Sequence, residues 1–454
     1  MKQLAVLLLL PALILPILSC TSVKYGPPIA TIFVTGEDAP LSSVVGFTVT
    51  INSITLNGLS GTPATLLSNA ATVNFARLIG LRSPLAFNTV QADAYSSATI
   101  TLSNPVIATV DSTTNPPTVT SVNGALTQSS VTVAFPAPLV VGNRQLGGVK
   151  LEFDIQQSLA LDGSGQITGS VNPVIFVKAI QAGDTDAQIT ELAGTLSTVD
   201  STNKSFSMQG PYGNSAVVRV TNTTQFNGTN TISTLAPPAI VAAEGSFSSN
   251  GSFTASSVEV INAAPSFLSG RVLATTTNGS GQVQMATLWV EDSSADLVTD
   301  AGKVMAVDVS QVSQYDTCFL DSVTTTAVFS NTSVIAGQRV LIGGTVAGSV
   351  FTPTEISLRR QGVYGKLMPG SVTITSGNAG SFQLQNGGLA GFSAAGLFSV
   401  NTGANSTFFG ISGGLPTLQG STTAVPLITR GLIFKDPSSG NPAMWASWVA
   451  APNQ

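Results

Sequence analysis

The stretch VGFTVTINSITLNG, residues 45–58, alternates apolar and polar side chains through Phe47, Val49 and Ile51, then again through Ile54 and Leu56. Alternation at period two puts one set of side chains on each face of an extended segment, so it specifies a half-buried strand and not a helix. The signature recurs at short intervals in YSSATITLSNPVIATVD, SSVTVAFPAPLVV, GGVKLEFDIQQSLAL and GSVNPVIFVKAI, with Gly-, Pro-, Asn- and Asp-rich turns between. Many short strands with such punctuation predict an all-β chain that opens with a β-sandwich. Within it, Gly36-Glu37-Asp38-Ala39-Pro40 reads as the turn ending the first strand. ATLLSNAATVNFARLIGL (64–81) has room for a short helix.

Charge narrows the function classes. Asp, Glu, Lys and Arg make up 9% of the chain, against about 25% in typical proteins. Net charge is −5, and the Lys and Arg residues are scattered, singly except for Arg359-Arg360, which leaves no electrostatic footprint for nucleic acid. Histidine is absent, which removes a Ser-His-Asp triad and an H-E-x-x-H zinc site. No phosphate-cradling G-x-x-x-x-G-K-[ST] is present, no cysteine pairs could hold zinc, and no cofactor is implied. The expectation is a non-enzymatic protein.

The N-terminus fixes a location. Lys2 precedes a fifteen-residue apolar run, Leu4–Leu18, interrupted by Pro11 and Pro16. This is too short to span a bilayer comfortably and suits a signal-peptide core. Ile17-Leu18-Ser19-Cys20 resembles the lipobox of bacterial lipoproteins. The resemblance implies cleavage before Cys20, a diacylglyceryl thioether on its sulfur and an acyl group such as palmitate on the new N-terminus. Several acyl chains on one residue make a stable anchor where one is marginal. Thr21 is not the aspartate associated with inner-membrane retention, so the outer membrane is favoured. A transmembrane β-barrel is disfavoured, because aromatics are 6% of the chain and such barrels carry aromatic girdles.

The reading divides the chain into a signal peptide (1–19), a lipidated tether (20–27), a β-sandwich (28–181) and three β-barrel repeats (193–262, 269–360 and 363–450). The segments FVTGEDAP, FTVTINSITLNG, LEFDIQQSLAL and GSVNPVIFVKAI together resemble an uncharacterised domain family of bacterial lipoproteins with a D-A-P signature and an F-D-x-x-x-S strand. That resemblance implies a sandwich in the envelope and supplies no site. After the acidic linker QAGDTDAQITE, a shared grammar recurs. Gly-x-aliphatic occurs at Gly194, Gly270 and Gly365, and a glycine sits within a later apolar strand at Gly245, Gly344 and Gly431. Glycine inside a strand pattern marks a bulge, as closing a small barrel requires. The units resemble a second uncharacterised family of small OB-like barrels.

Chemistry-bearing candidates are few. Glu152 and Asp154, two apart on a strand, share a face and could bind a cation or serve acid–base chemistry; the alternative is a solvated face, or Asp154 bonding nearby backbone. Trp289, Trp445 and Trp448 are candidates for a sugar-stacking platform, although residues 445 and 448 would point to opposite sides of a strand. Asp162 in LDGSGQ lacks the further carboxylates of a calcium loop. Cys318 has no intramolecular partner once Cys20 is lipidated, and reads as a buried small hydrophobe or a reactive thiol. The expected partners are a membrane, through the lipid, and a polysaccharide or envelope protein; a carbohydrate-binding protein and a carboxylate-dependent hydrolase are the alternatives.

Overall fold

The computed structural model describes residues 29–451, apart from segments 40–43, 68, 112–113, 115–116, 164–165, 182–183, 185–186, 210–214, 248–251, 263–265, 322–326, 349, 386–395 and 438. The fold is all-β, with 66% of residues in strands and 5% in helices. Cys20 and the whole leader lie outside the described residues.

The N-terminal part is two main sheets over one core, with a small third sheet of Ala125–Leu126, Leu159–Leu161 and Ile167–Val171. In the first, the strand Ile29–Ala39 runs parallel to Leu146–Asp154 and antiparallel to Ser83–Gln91, and Ile175–Gln181 completes the sheet. The second is built on the long antiparallel pair Val44–Gly58 and Asp93–Asp111. Val34, Leu151 and Phe153 of one sheet and Phe47, Val49 and Ile51 of the other are buried together, with the Phe47 and Phe153 rings 5.0 Å apart. The imperfect alternation in residues 45–58 has a cause in the ladder. Its register slips between Ile51 and Ser53, and the extra residue resets which side chains face the core. The helix expected within 64–81 is a single 3₁₀ turn, Phe75–Leu78. Of the turn expected at Gly36–Pro40, residues 36–39 are strand, because pairing with Leu146–Asp154 carries the first strand on through Ala39, and Pro40 lies outside the described residues.

Three six-stranded sheets follow, over Gln188–Asn262, Ser266–Arg359 and Gln361–Ala450. In each, the first strand pairs antiparallel with a late strand, which pairs antiparallel with the last; an earlier strand then runs parallel to the last. In the first and third units these pairings close a five-stranded ring, as in an OB-type barrel. Gly245, Gly344 and Gly431 occupy the same place in all three. Each sits at a register slip against the last strand, where a methyl group would run into the carbonyl oxygen of Thr254, Thr352 or Trp445. Only glycine lets the two backbones approach so closely.

Neighbouring cores run into one another. The Phe33 ring of the sandwich stacks on Phe247 of the first barrel at 4.3 Å between centroids. Ile240 and Ile261 of the first barrel and Leu432 and Phe434 of the third join the core of the second. The acidic stretch read as a linker is partly barrel. The first barrel strand begins at Gln188, so Thr190 and Glu191 lie inside it and are buried.

Candidate functional site

Where the four β units meet, the structure gathers most of the chain's arginines. Of the nine arginines in the sequence, only Arg144 and Arg219 lie elsewhere; Arg77, Arg82, Arg271, Arg339, Arg359, Arg360 and Arg430 converge here. Charges scattered in sequence are therefore concentrated in space. Arg359 and Arg360, at the end of the second barrel's last strand, each reach carboxylates of the first barrel. Arg359 Nη1 donates to Glu259 at 2.8 Å, and Arg360 Nη2 lies 3.3 Å from Glu244. Arg339 bridges Glu191 at 3.1 Å and Glu291 at 3.4 Å. Arg77 of the sandwich pairs with Asp292 at 3.0 Å.

Hydrogen bonds to uncharged acceptors complete the junction. Arg360 also donates to the Thr190 carbonyl. The Gln338 side chain donates to the Ile433 carbonyl of the third barrel at 2.9 Å, and the Arg82 backbone donates to Thr190 Oγ1 at 2.8 Å. Burial alone would push the Glu191 carboxyl up, but Arg339, Arg359, Arg360 and Arg77 outweigh it and hold it at about 2.

On one side of this network lies a polar cavity of about 330 Å³ lined by all four units. Arg82 comes from the sandwich, Thr190 and Glu244 from the first barrel, Arg360 from the second, and Arg430 and Trp448 from the third. The Arg430 guanidinium lies 5.4 Å from the Trp448 ring centroid, a cation–π contact, and Nη1 donates to the Gly80 carbonyl at 3.4 Å. Burial and the neighbouring Arg360 draw the Arg430 guanidinium down to about 10. A second cavity, of about 560 Å³, lies beside Arg77, Glu191, Arg339 and Arg359.

The candidates read from sequence are dispersed. Glu152 is half-buried and pairs with Lys150 at 3.5 Å. Asp154 is buried and caps the short helix Ile155–Ser158, accepting from the Gln157 backbone at 2.8 Å and the Gln157 side chain at 2.7 Å. The two carboxylates thus have separate partners. Trp289 is buried between the second barrel and the sandwich, beside Val45, Ala108 and Leu273. Trp445 packs edge-on against Phe434, their centroids 5.4 Å apart, and joins the second barrel's core. Of the three tryptophans, only Trp448 lines the central cavity. Asp162 closes a turn by accepting from the Gln166 backbone at 2.9 Å. Among the described residues, no group of three or more His, Cys, Asp or Glu side chains could hold a metal ion. Cys318 is buried, its sulfur 3.7 Å from Glu259, and burial pushes its thiol up to about 12; such a thiol is unreactive.

One further carboxyl was not singled out by the sequence. Glu355 is buried on the strand that runs parallel to Gln314–Thr317. Burial first, then a hydrogen bond it donates to Asp316, pushes it up to about 8. A folded-state value above the unfolded one means that this group's stability is complete below about pH 4.3 and is lost as pH rises through about 8. Glu355→Gln keeps a donor toward Asp316 and removes the titration. Urea midpoints at pH 5 and pH 9 should differ less for the variant than for the parent, by about 1–2 kcal/mol in the derived stabilities after allowance for solvent screening. Equal pH slopes in the two proteins would show that Glu355 is ionised in the fold.

No family model and no curated protein matches this chain.

Proposed function

We propose that this chain is a bacterial lipoprotein, held in the outer membrane by acyl chains on Cys20, whose four β units act together as a non-enzymatic binding or structural module of the envelope. The observation that carries the reading is Ile17-Leu18-Ser19-Cys20 at the end of the apolar run Leu4–Leu18. The junction chemistry supports a holding role over a catalytic one. Its glutamates face guanidiniums at 2.8 to 3.9 Å, a geometry that locks units together, and the one buried carboxyl pushed up beside them, Asp321, is set there among Arg360 and Arg430. Neither Glu355 nor Asp321, the two carboxyls that burial pushes up, lines either cavity. Binding of a carbohydrate is the second reading, and Trp448 in a cavity rich in hydroxyl and amide groups favours it.

Expression in a bacterial host with an alkyne palmitate analogue tests the anchor. The parent should take up label and fractionate with outer membranes, and Cys20→Ser should reduce labelling to background. A parent protein that takes no label and remains in the soluble fraction would sink the reading.

A further inference from the structure

Three guanidiniums, Arg82, Arg360 and Arg430, line the central cavity against one lining carboxylate, Glu244, with the buried Asp321 nearby. Arg360 is matched by Glu244, whereas among the described residues no carboxylate lies within ion-pair distance of Arg430, and its Nε has no hydrogen-bond partner. Arg430 is held in place from two sides, by the Trp448 ring and the Gly80 carbonyl, so its remaining donors need no reorganisation to meet a ligand. The lining is mostly polar, with Gln188, Thr190, Asn405 and Ser447 among its donors and acceptors. A volume of about 330 Å³ lies in the range of small-molecule sites and excludes a folded partner. An apolar ligand would strand these groups without hydrogen bonds, and a cation would meet Arg82, Arg360 and Arg430 together.

We propose that this cavity binds a small acidic sugar, a polyhydroxylated ring bearing one carboxylate or phosphate, with Arg430 taking the anionic group and the hydroxyl and amide side chains taking the ring hydroxyls. A planar guanidinium presents two parallel donors to either anion, so the two share one recognition chemistry. Trp448 keeps the guanidinium in place and gives the ring an apolar edge. Enclosure by four units means that no single unit makes the site, which accounts for a junction cemented by buried ion pairs. The proposal deepens the binding reading and is independent of the anchor. A chain without lipid could still bind, and a lipidated chain could fail to.

Isothermal titration of the purified full-length protein in mild detergent tests it, with D-glucuronate, glucose 6-phosphate and glucose as probes. At least one acidic probe should bind saturably, and about tenfold or more tightly than glucose, as expected where one charge-assisted pair is lost. Glucuronate alone binding would assign a carboxylate ligand, and glucose 6-phosphate alone a phosphate ligand. Arg430→Met should weaken the acidic probe about tenfold or more, so that it binds no more tightly than glucose. Asn405→Ala, on an exposed residue whose loss should not disturb folding, should weaken it by a smaller factor. Equal binding of glucose and both acidic probes, no binding of any at millimolar concentration, or undiminished binding in Arg430→Met would overturn the proposal.

Discussion

Arg359→Met is expected to lower the free energy of unfolding at neutral pH by about 3–5 kcal/mol, the usual consequence of removing one partner from a buried ion pair. Arg359 is 1% exposed and Glu259 is 2% exposed, so water cannot replace the lost guanidinium. Its 2.8 Å bond to Glu259 is the main link between that carboxylate and a positive charge, and its 3.7 Å contact with Glu191 is shared with Arg339. Without it, Glu259 keeps the Cys318 thiol at 3.7 Å, a weak donor that cannot balance a charge. The double variant Arg359→Met/Glu259→Leu should recover most of the loss, because two apolar side chains leave nothing to solvate. Arg144→Met, on an exposed turn, should stay within about 0.5 kcal/mol of the parent. Urea denaturation of the parent, Arg359→Met, Glu259→Leu and the double variant gives the cycle, with Arg144→Met as the control. A single variant as stable as the parent, or a double variant no better than the single, would show that the pair does not hold the barrels together.

That cluster was invisible in the sequence for a physical reason. Its members run from Arg77 to Arg430, and nothing local marks any of them as buried. Glu191 sits in an acidic run that reads as linker, and only the pairing of Ile189 and Leu192–Thr195 with the strand Ile240–Phe247 draws it inside. A clue existed in TEISLRR, three charges within six residues of a chain only 9% charged. What was legible is what short-range geometry dictates. Period-two alternation marks the strands, and Gly245, Gly344 and Gly431 mark the bulges, because both depend on backbone sterics within a few residues. Asp154 illustrates the limit. Strand alternation places it beside Glu152, but the strand ends there, and the carboxylate turns to cap the helix that follows.

Trp289→Ala is the second change expected to cost about 3–5 kcal/mol, the range for deleting a large buried aromatic. A stacking platform would predict the opposite, since an exposed ring contributes little to stability and its loss would affect ligand binding alone. Trp289 is 5% exposed and fills the seam between the second barrel and the sandwich, where it meets Val45, Ala108 and Leu273. The seam has been narrowed to fit it. A methyl group on Gly46 would lie 3.0 Å from the ring carbon Cζ2, so the backbone of the Val44–Gly58 strand rests directly on the indole. Its Nε1 has no hydrogen-bond partner among the described residues, so Trp289→Phe gives up packing area but no hydrogen bond and should cost about 1 kcal/mol or less than half the alanine penalty. Limited proteolysis should follow the same order, with Trp289→Ala releasing the sandwich at protease levels that leave Trp289→Phe intact. If phenylalanine proves as damaging as alanine, the indole N–H has a partner that matters more than the packing. If neither variant changes stability, the sandwich and the second barrel are joined by the ion pairs alone, and Arg77 with Asp292 becomes the contact to remove next.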